Sequence, residues 1–98
     1  MDTRFEKNGV TFVWNVRKAT INCHKHDGIT FENATEAFFD PFFKLVDAGG
    51  DDEARDAVIG YDETGRLLFV VHIEIDGEFI RLISARKATV TERILYDC

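Results

Sequence analysis

The residues able to do chemistry form two clusters, one near each end of the chain. Lys18, Asn22, Lys25 and His26 recur at i, i+4, i+7 and i+8, which gathers them on one side of an α-helix. Two ammonium groups, an amide and an imidazole so grouped can contact phosphate and move a proton. The plainer reading is a solvated helix face, with Lys25 and His26 complementing the C-terminal helix dipole. The second cluster is Arg81-Leu82-Ile83-Ser84-Ala85-Arg86-Lys87. A guanidinium presents a planar fork matched to phosphate oxygens. Strict strand alternation sends Arg81, Ile83 and Ala85 to one face and Leu82, Ser84 and Arg86 to the other. Both arginines therefore reach one site only if the strand bends or ends near Ser84. Arg81 projects from a largely apolar strand, so it requires an anion or a carboxylate partner.

Arg55 is the single base among seven acids between Asp47 and Glu63. It reads as a local ion-pair partner, or as a cation directed across the sheet towards Arg81. His72 shares a strand face with Leu68 and Val70 and reads as a satisfied core histidine. Glu92 is explained by the capping box Thr89-Val90-Thr91-Glu92. Cys23 and His24 point about 100° apart on a helix, and no second ligand pair is visible, so no metal site is expected. No phosphate-binding loop, dinucleotide fingerprint or nucleophile elbow occurs, which argues against ATP- or NAD-dependent chemistry.

The elements that must position these residues follow from turn and cap signals. Asn8-Gly9 between β-rich runs predicts a hairpin over Arg4 to Trp14. Asn15 caps a helix to about His26, ended by Asp27-Gly28. A shorter helix is expected over Glu32 to Phe39, and strands over Phe42 to Val46, Arg55 to Tyr61, Arg66 to Ile75 and Glu78 to Ala85. The capping box then opens a last helix through Tyr96. The expectation is α+β: an antiparallel β-sheet with helices packed on it, in the order β-β-α-α-β-β-β-β-α. The run Phe38-Phe39-Asp40-Pro41-Phe42-Phe43 can aim both phenylalanine pairs inward. The strands Leu67 to Val71 and Phe79 to Ile83 are apolar on both faces, so some apolar surface is expected to remain for a partner.

With 98 residues, one domain spanning 1–98 is expected. No apolar run is long enough to span a bilayer and the start is charged, which points to a cytoplasmic protein with no membrane partner. Two cysteines are too few for a disulfide framework. The net charge of −6 argues against nucleic acid, but the segment from Asp47 to Glu63 carries all of it. The remainder is balanced, with local basic stretches over Arg17 to Lys25 and Arg81 to Arg93.

A family resemblance emerges from particular residues. Trp14-Asn15, Lys18, Asn22, Lys25-His26, Gly28-Ile29 and Phe31 resemble the opening of the BrnT family of type II toxins. So do Ala37-Phe38, Asp40, Arg55, Ile59-Gly60, Gly65-Arg66-Leu67-Leu68, Arg81, Ile83-Ser84-Ala85-Arg86, Ala88, Glu92 and Tyr96. The resemblance runs from Phe12 to Tyr96. It departs at Asn15, where the family usually has Asp, at an N-terminal extension over Arg4 to Gly9, and at the acidic loop Asp51-Asp52-Glu53. The resemblance implies a RelE-like fold and a metal-independent ribonuclease that uses no cofactor and is sequestered by a BrnA-type antitoxin. Lys25 and His26 fall on the family's Lys-His element and Arg55, Arg81 and Arg86 on its arginines, which casts His26, Arg55, Arg81 and Arg86 as catalytic; Lys25, with Lys18 and Asn22 of the same helix face, is then expected to hold RNA. DNA would be met only through the antitoxin, and homodimer and heterotetramer are both left open. The competing expectation is a catalytically inactive member that keeps only the protein-interaction surface, in line with the −6 balance and the doubly apolar strands.

Overall fold

Asn8 and Gly9 take φ of 50° and 82°, the doubly left-handed conformation of a two-residue hairpin turn. They join β1 (Asp2–Lys7) to β2 (Val10–Asn15), paired antiparallel. The computed structural model describes residues 1–50 and 54–98, so the acidic loop Asp51-Asp52-Glu53 lies outside the described residues.

Asn15 then accepts a hydrogen bond from Lys18 N–H at 3.1 Å and opens α1 (Val16–Lys25). His26 is the residue that closes this helix, and Asp27-Gly28 follow at φ of 53° and 72°. Thr30 caps α2 (Phe31–Glu36), which tightens into a single 3-10 turn over Ala37–Phe39. Four strands come next: β3 (Lys44–Gly49), β4 (Arg55–Tyr61), β5 (Leu67–Ile75) and β6 (Phe79–Lys87). The capping box forms with both reciprocal bonds and opens α3 (Val90–Asp97).

The six strands lie in the order β1-β2-β6-β5-β4-β3. The sheet is mixed, which corrects the all-antiparallel expectation: β2 runs parallel to β6 through Thr11↔Phe79, Phe12↔Ile80 and Val13↔Arg81. Each hairpin is written locally in its turn, but the join between the N-terminal hairpin and β6 is a long-range pairing with no local signal.

α2 and its 3-10 turn cover one face of the sheet. Phe12, Ile29, Phe31, Leu68 and Leu82 are fully buried, and each such side chain contributes about 1.5–3 kcal/mol. Trp14 meets Phe31 edge-on at 5.7 Å, and Phe12 meets Phe38 edge-on at 5.2 Å. Gly60 sits under the 3-10 turn, where a Cβ would run into the carbonyl of Ala37. His72 is buried on this face beside the Phe38 ring, with Nδ1 3.2 Å from Val70 O. Burial holds its imidazole below the ordinary histidine range.

The other face is covered only at one end, by α3 across β4. Tyr96 stacks edge-on against Tyr61 at 5.3 Å, and its hydroxyl donates to Asp40 at 2.7 Å. The two phenylalanine pairs part company: Phe38 and Phe39 pack on the core, whereas Phe42 is 73% exposed. Leu45, Val90, Ile94 and Leu95 are exposed as well, so apolar surface remains uncovered. No helix among the described residues is long and apolar enough to cross a membrane.

Candidate functional site

The pairing of β2 with β6 stops at Val13↔Arg81, and α1 begins where β2 ends. Beyond Arg81, β6 therefore presents an open backbone edge, and α1 lies against it. Ala19 and Cys23 turn towards Phe31 and line a hollow with it. On the opposite stripe Lys18, Ile21, Asn22, Lys25 and His26 line a second hollow of about 170 Å³, completed by Ile83 and Ser84 of β6. All four candidates from the first cluster thus meet one surface, next to the strand that carries the second cluster.

Asn22 departs from the exposed phosphate-contacting position expected of it. It is 5% exposed, and its amide is spent on backbone. Oδ1 accepts from Ala85 N–H at 3.0 Å, while Nδ2 donates to Ala85 O at 2.9 Å and Ile29 O at 3.3 Å. A side chain here does the work of a missing neighbouring strand, which a periodicity of exposed polar positions does not reveal.

The arginines share a face because β6 breaks its alternation. Arg81 pairs with Ile73 and Leu82 with His72, but Ser84 then pairs with Val71 and Arg86 with Phe69. Ile83 is the extra residue of a β-bulge, so Arg81, Ser84 and Arg86 emerge together on the face away from α2. Arg55 precedes Asp56, which pairs with His72, so Arg55 stands beside Ile73 on that same face. Arg81, Ile73 and Arg55 form one cross-strand row, and two strand spacings put the outer pair about 10 Å apart at the backbone. Arg4 pairs with Val13 in the same row, with its guanidinium 4.8 Å above the Phe79 ring.

Two of these cations are held by carboxylates. Arg81 donates to Asp2 Oδ2 at 2.8 Å, a contact with β1 that the first 30 residues give no reason to expect. The Arg81 hydrogen bond holds the Asp2 carboxyl below its ordinary value. Arg86 makes a two-pronged pair with Glu92 at 2.7 and 2.8 Å and lies 4.3 Å above the Phe69 ring. That hydrogen bond raises Arg86 and lowers Glu92 from their ordinary values. Among the described residues, no carboxylate forms an ion pair with Arg55, Lys18, Lys25 or His26. The result is a sheet face with four arginines and one serine, flanked by two lysines and a histidine. Ser84 was not singled out in the sequence; it joins the site only because the bulge turns it outward. Among the described residues no cluster of His, Cys, Asp and Glu is arranged to hold a metal ion.

Comparison with known proteins finds both a family model and a solved structure that this chain resembles. The family model described as "Ribonuclease toxin, BrnT, of type II toxin-antitoxin system" matches residues 14–92, a span that holds all seven candidate site residues and leaves β1 outside. The crystal structure of the Brucella abortus ribonuclease toxin BrnT superposes with a TM-score of 0.61 at 22% identity, covering 78% of this chain and 92% of that one. No curated protein matches by sequence. The fold is thus one already seen in a toxin, and the family match spans α1 through the capping-box glutamate: the chain belongs to the BrnT family of ribonuclease toxins of type II toxin–antitoxin systems.

Proposed function

We propose that this chain is an active, metal-independent endoribonuclease, cutting RNA in the cytoplasm until a BrnA-type antitoxin covers the site. The observation that carries the reading is the shared face: Arg81, Ser84 and Arg86 emerge together beside the hollow lined by Lys18, Lys25 and His26.

The chemistry suits these groups. The RNA's own 2′-hydroxyl attacks the adjacent phosphorus, its proton leaves to a base, and the 5′-oxygen departs with a proton from an acid. The products are a 2′,3′-cyclic phosphate and a 5′-hydroxyl. His26 serves the proton transfers, since an imidazole titrates near neutral pH. Arg81 and Arg86 stabilise charge on the phosphorane oxygens, and Lys18, Lys25 and Arg55 hold the flanking backbone. Arg81 must leave Asp2 to do so, exchanging one anion for another. DNA enters only through the antitoxin, and the site does not depend on whether the complex is dimeric or tetrameric.

The test is cleavage of a defined RNA by purified protein with a chelator present, followed by end-group analysis. Cyclic-phosphate ends are expected, and Arg81→Ala and His26→Ala should each lower the rate by about 100-fold or more while melting as the parent does. Undiminished cleavage by Arg81→Ala overturns its role. One observation favours a second reading, an inactive interaction module: Arg81 and Arg86 already hold carboxylates. Induced expression without antitoxin separates the two, because only the nuclease stops growth with loss of RNA.

A further inference from the structure

Resting on the nuclease reading, we propose that Asn22 is the positioning residue of this site: its side chain pins the β6 bulge, and the bulge decides which face Ser84 and the guanidinium groups occupy. A bulge can migrate along a strand by exchanging one register for the next, and every residue it passes changes face. In β6 the extra residue, Ile83, lies between two fixed points. Upstream, Arg81 is paired on both sides, with Val13 of β2 and Ile73 of β5. Downstream, β6 is paired only with β5, and Asn22 supplies the other side by bonding both the N–H and the C=O of Ala85.

Moving the bulge two residues on, to Ala85, would turn Ser84 in towards α2 and Ile83 out into the cationic face. Moving it past Arg86 would reverse that guanidinium. The two bonds from Asn22 oppose the shift to Ala85, because Ala85 must stay in register with Val70 to keep both. The same amide holds Ile29 O at 3.3 Å, just past the turn that follows His26. Asn22 therefore locks the helix that carries Lys18, Lys25 and His26 to the strand that carries Arg81, Ser84 and Arg86. It acts through these residues without touching RNA.

Asn22→Asp keeps the size and the acceptor but cannot donate to the carbonyls of Ala85 and Ile29; Asn22→Ser is a shorter, neutral alternative. Three readouts apply to whichever variant melts cooperatively. The Ala85 amide should exchange with solvent about tenfold faster in Asn22→Ser, which loses the acceptor as well, and by a smaller factor in Asn22→Asp, which keeps it. The side-chain N–H resonances of Arg86, shifted by the Phe69 ring 4.3 Å away, should move towards their random-coil positions. Cleavage should fall by about 100-fold, the scale of an ångström-sized misplacement, while affinity for a 2′-O-methyl RNA changes less than about threefold.

Unmoved Arg86 resonances with unchanged cleavage overturn the proposal. So does a loss of RNA affinity with the turnover rate intact, which would make Asn22 a substrate contact. If the unmodified chain neither binds nor cleaves RNA, the nuclease reading fails, yet the two spectroscopic readouts still decide whether Asn22 sets the bulge. The unmodified chain offers a further check: its Ala85 amide should exchange as slowly as those of Val70 and Leu82, and fast exchange there overturns the proposal without any variant.

Discussion

The Arg81–Asp2 pair is the residue-scale fact with the most direct consequence for binding. A carboxylate on the guanidinium occupies the seat that a phosphate would take, but both partners are partly exposed, so the contact is a weak competitor. Asp2→Asn is expected to tighten binding of a 2′-O-methyl RNA by about two- to fivefold at low salt, measured by fluorescence anisotropy. Weaker binding would mean that Asp2 orients Arg81 instead of competing with RNA. That Arg81 needs an anionic partner is legible from its place in an apolar strand. Which carboxylate answers is not, because β1 and β6 are brought together only through β2. Asn22 teaches the complementary lesson. Helical spacing groups it correctly with Lys18, Lys25 and His26, but spacing cannot say that a strand edge lies within reach of its amide.

At the scale of elements, turns and caps were the legible part. Asn8-Gly9 and the Thr89–Glu92 box both form where their chemistry requires. Alternation along β6 was misleading because a single inserted residue reverses every face beyond it. The anchoring of α3 is polar and hence pH-dependent. Its helix buries no residue fully and is tied down by Arg86–Glu92 and by Tyr96–Asp40. The Arg86 hydrogen bond lowers Glu92 from its ordinary value. Burial pushes Asp40 up, but bonds from the Tyr96 hydroxyl and from the N–H groups of Tyr61 and Phe42 outweigh it and leave it low. Carboxyls lowered by folding contribute stability that is complete above their unfolded values, about pH 4, and is lost as pH falls through the folded ones. Tyr96 runs the other way: burial, with Asp40 beside it, pushes it up to about 12, so its contribution is complete below about pH 10 and fades as pH rises towards 12. Near-ultraviolet circular dichroism of Tyr61 and Tyr96 should therefore hold steady between about pH 5 and 10 and collapse on both sides, with far-ultraviolet signal following later. A tyrosine signal that changes across neutral pH would contradict this anchoring.

The whole molecule is a mixed sheet with α2 and its 3-10 turn packed on one face and α3 across one end of the other, and Gly60 allows the close packing of the first. Adding a methyl there collides with backbone, which cannot move aside as a flexible side chain can. Gly60→Ala is expected to lose about 1–3 kcal/mol, read from a denaturant melt; an unchanged midpoint would mean that the 3-10 turn shifts freely. The α+β class was readable from element order, since runs of strands and helices follow one another in blocks. Sheet order was not, because β2 and β6 are joined by an interaction between distant parts of the chain.

That central parallel seam has a consequence for the order in which the chain can assemble. A nascent chain that has emerged only as far as Gly77 carries α1 and its cations but no β6, so its N-terminal hairpin has nothing to zip onto and the sheet lacks its middle. Pairings of such large sequence separation form late and slowly, after their loop entropy has been overcome. The helix that carries Lys18, Lys25 and His26 thus meets the strand that carries Arg81, Ser84 and Arg86 only once the final fifth of the sequence has been made.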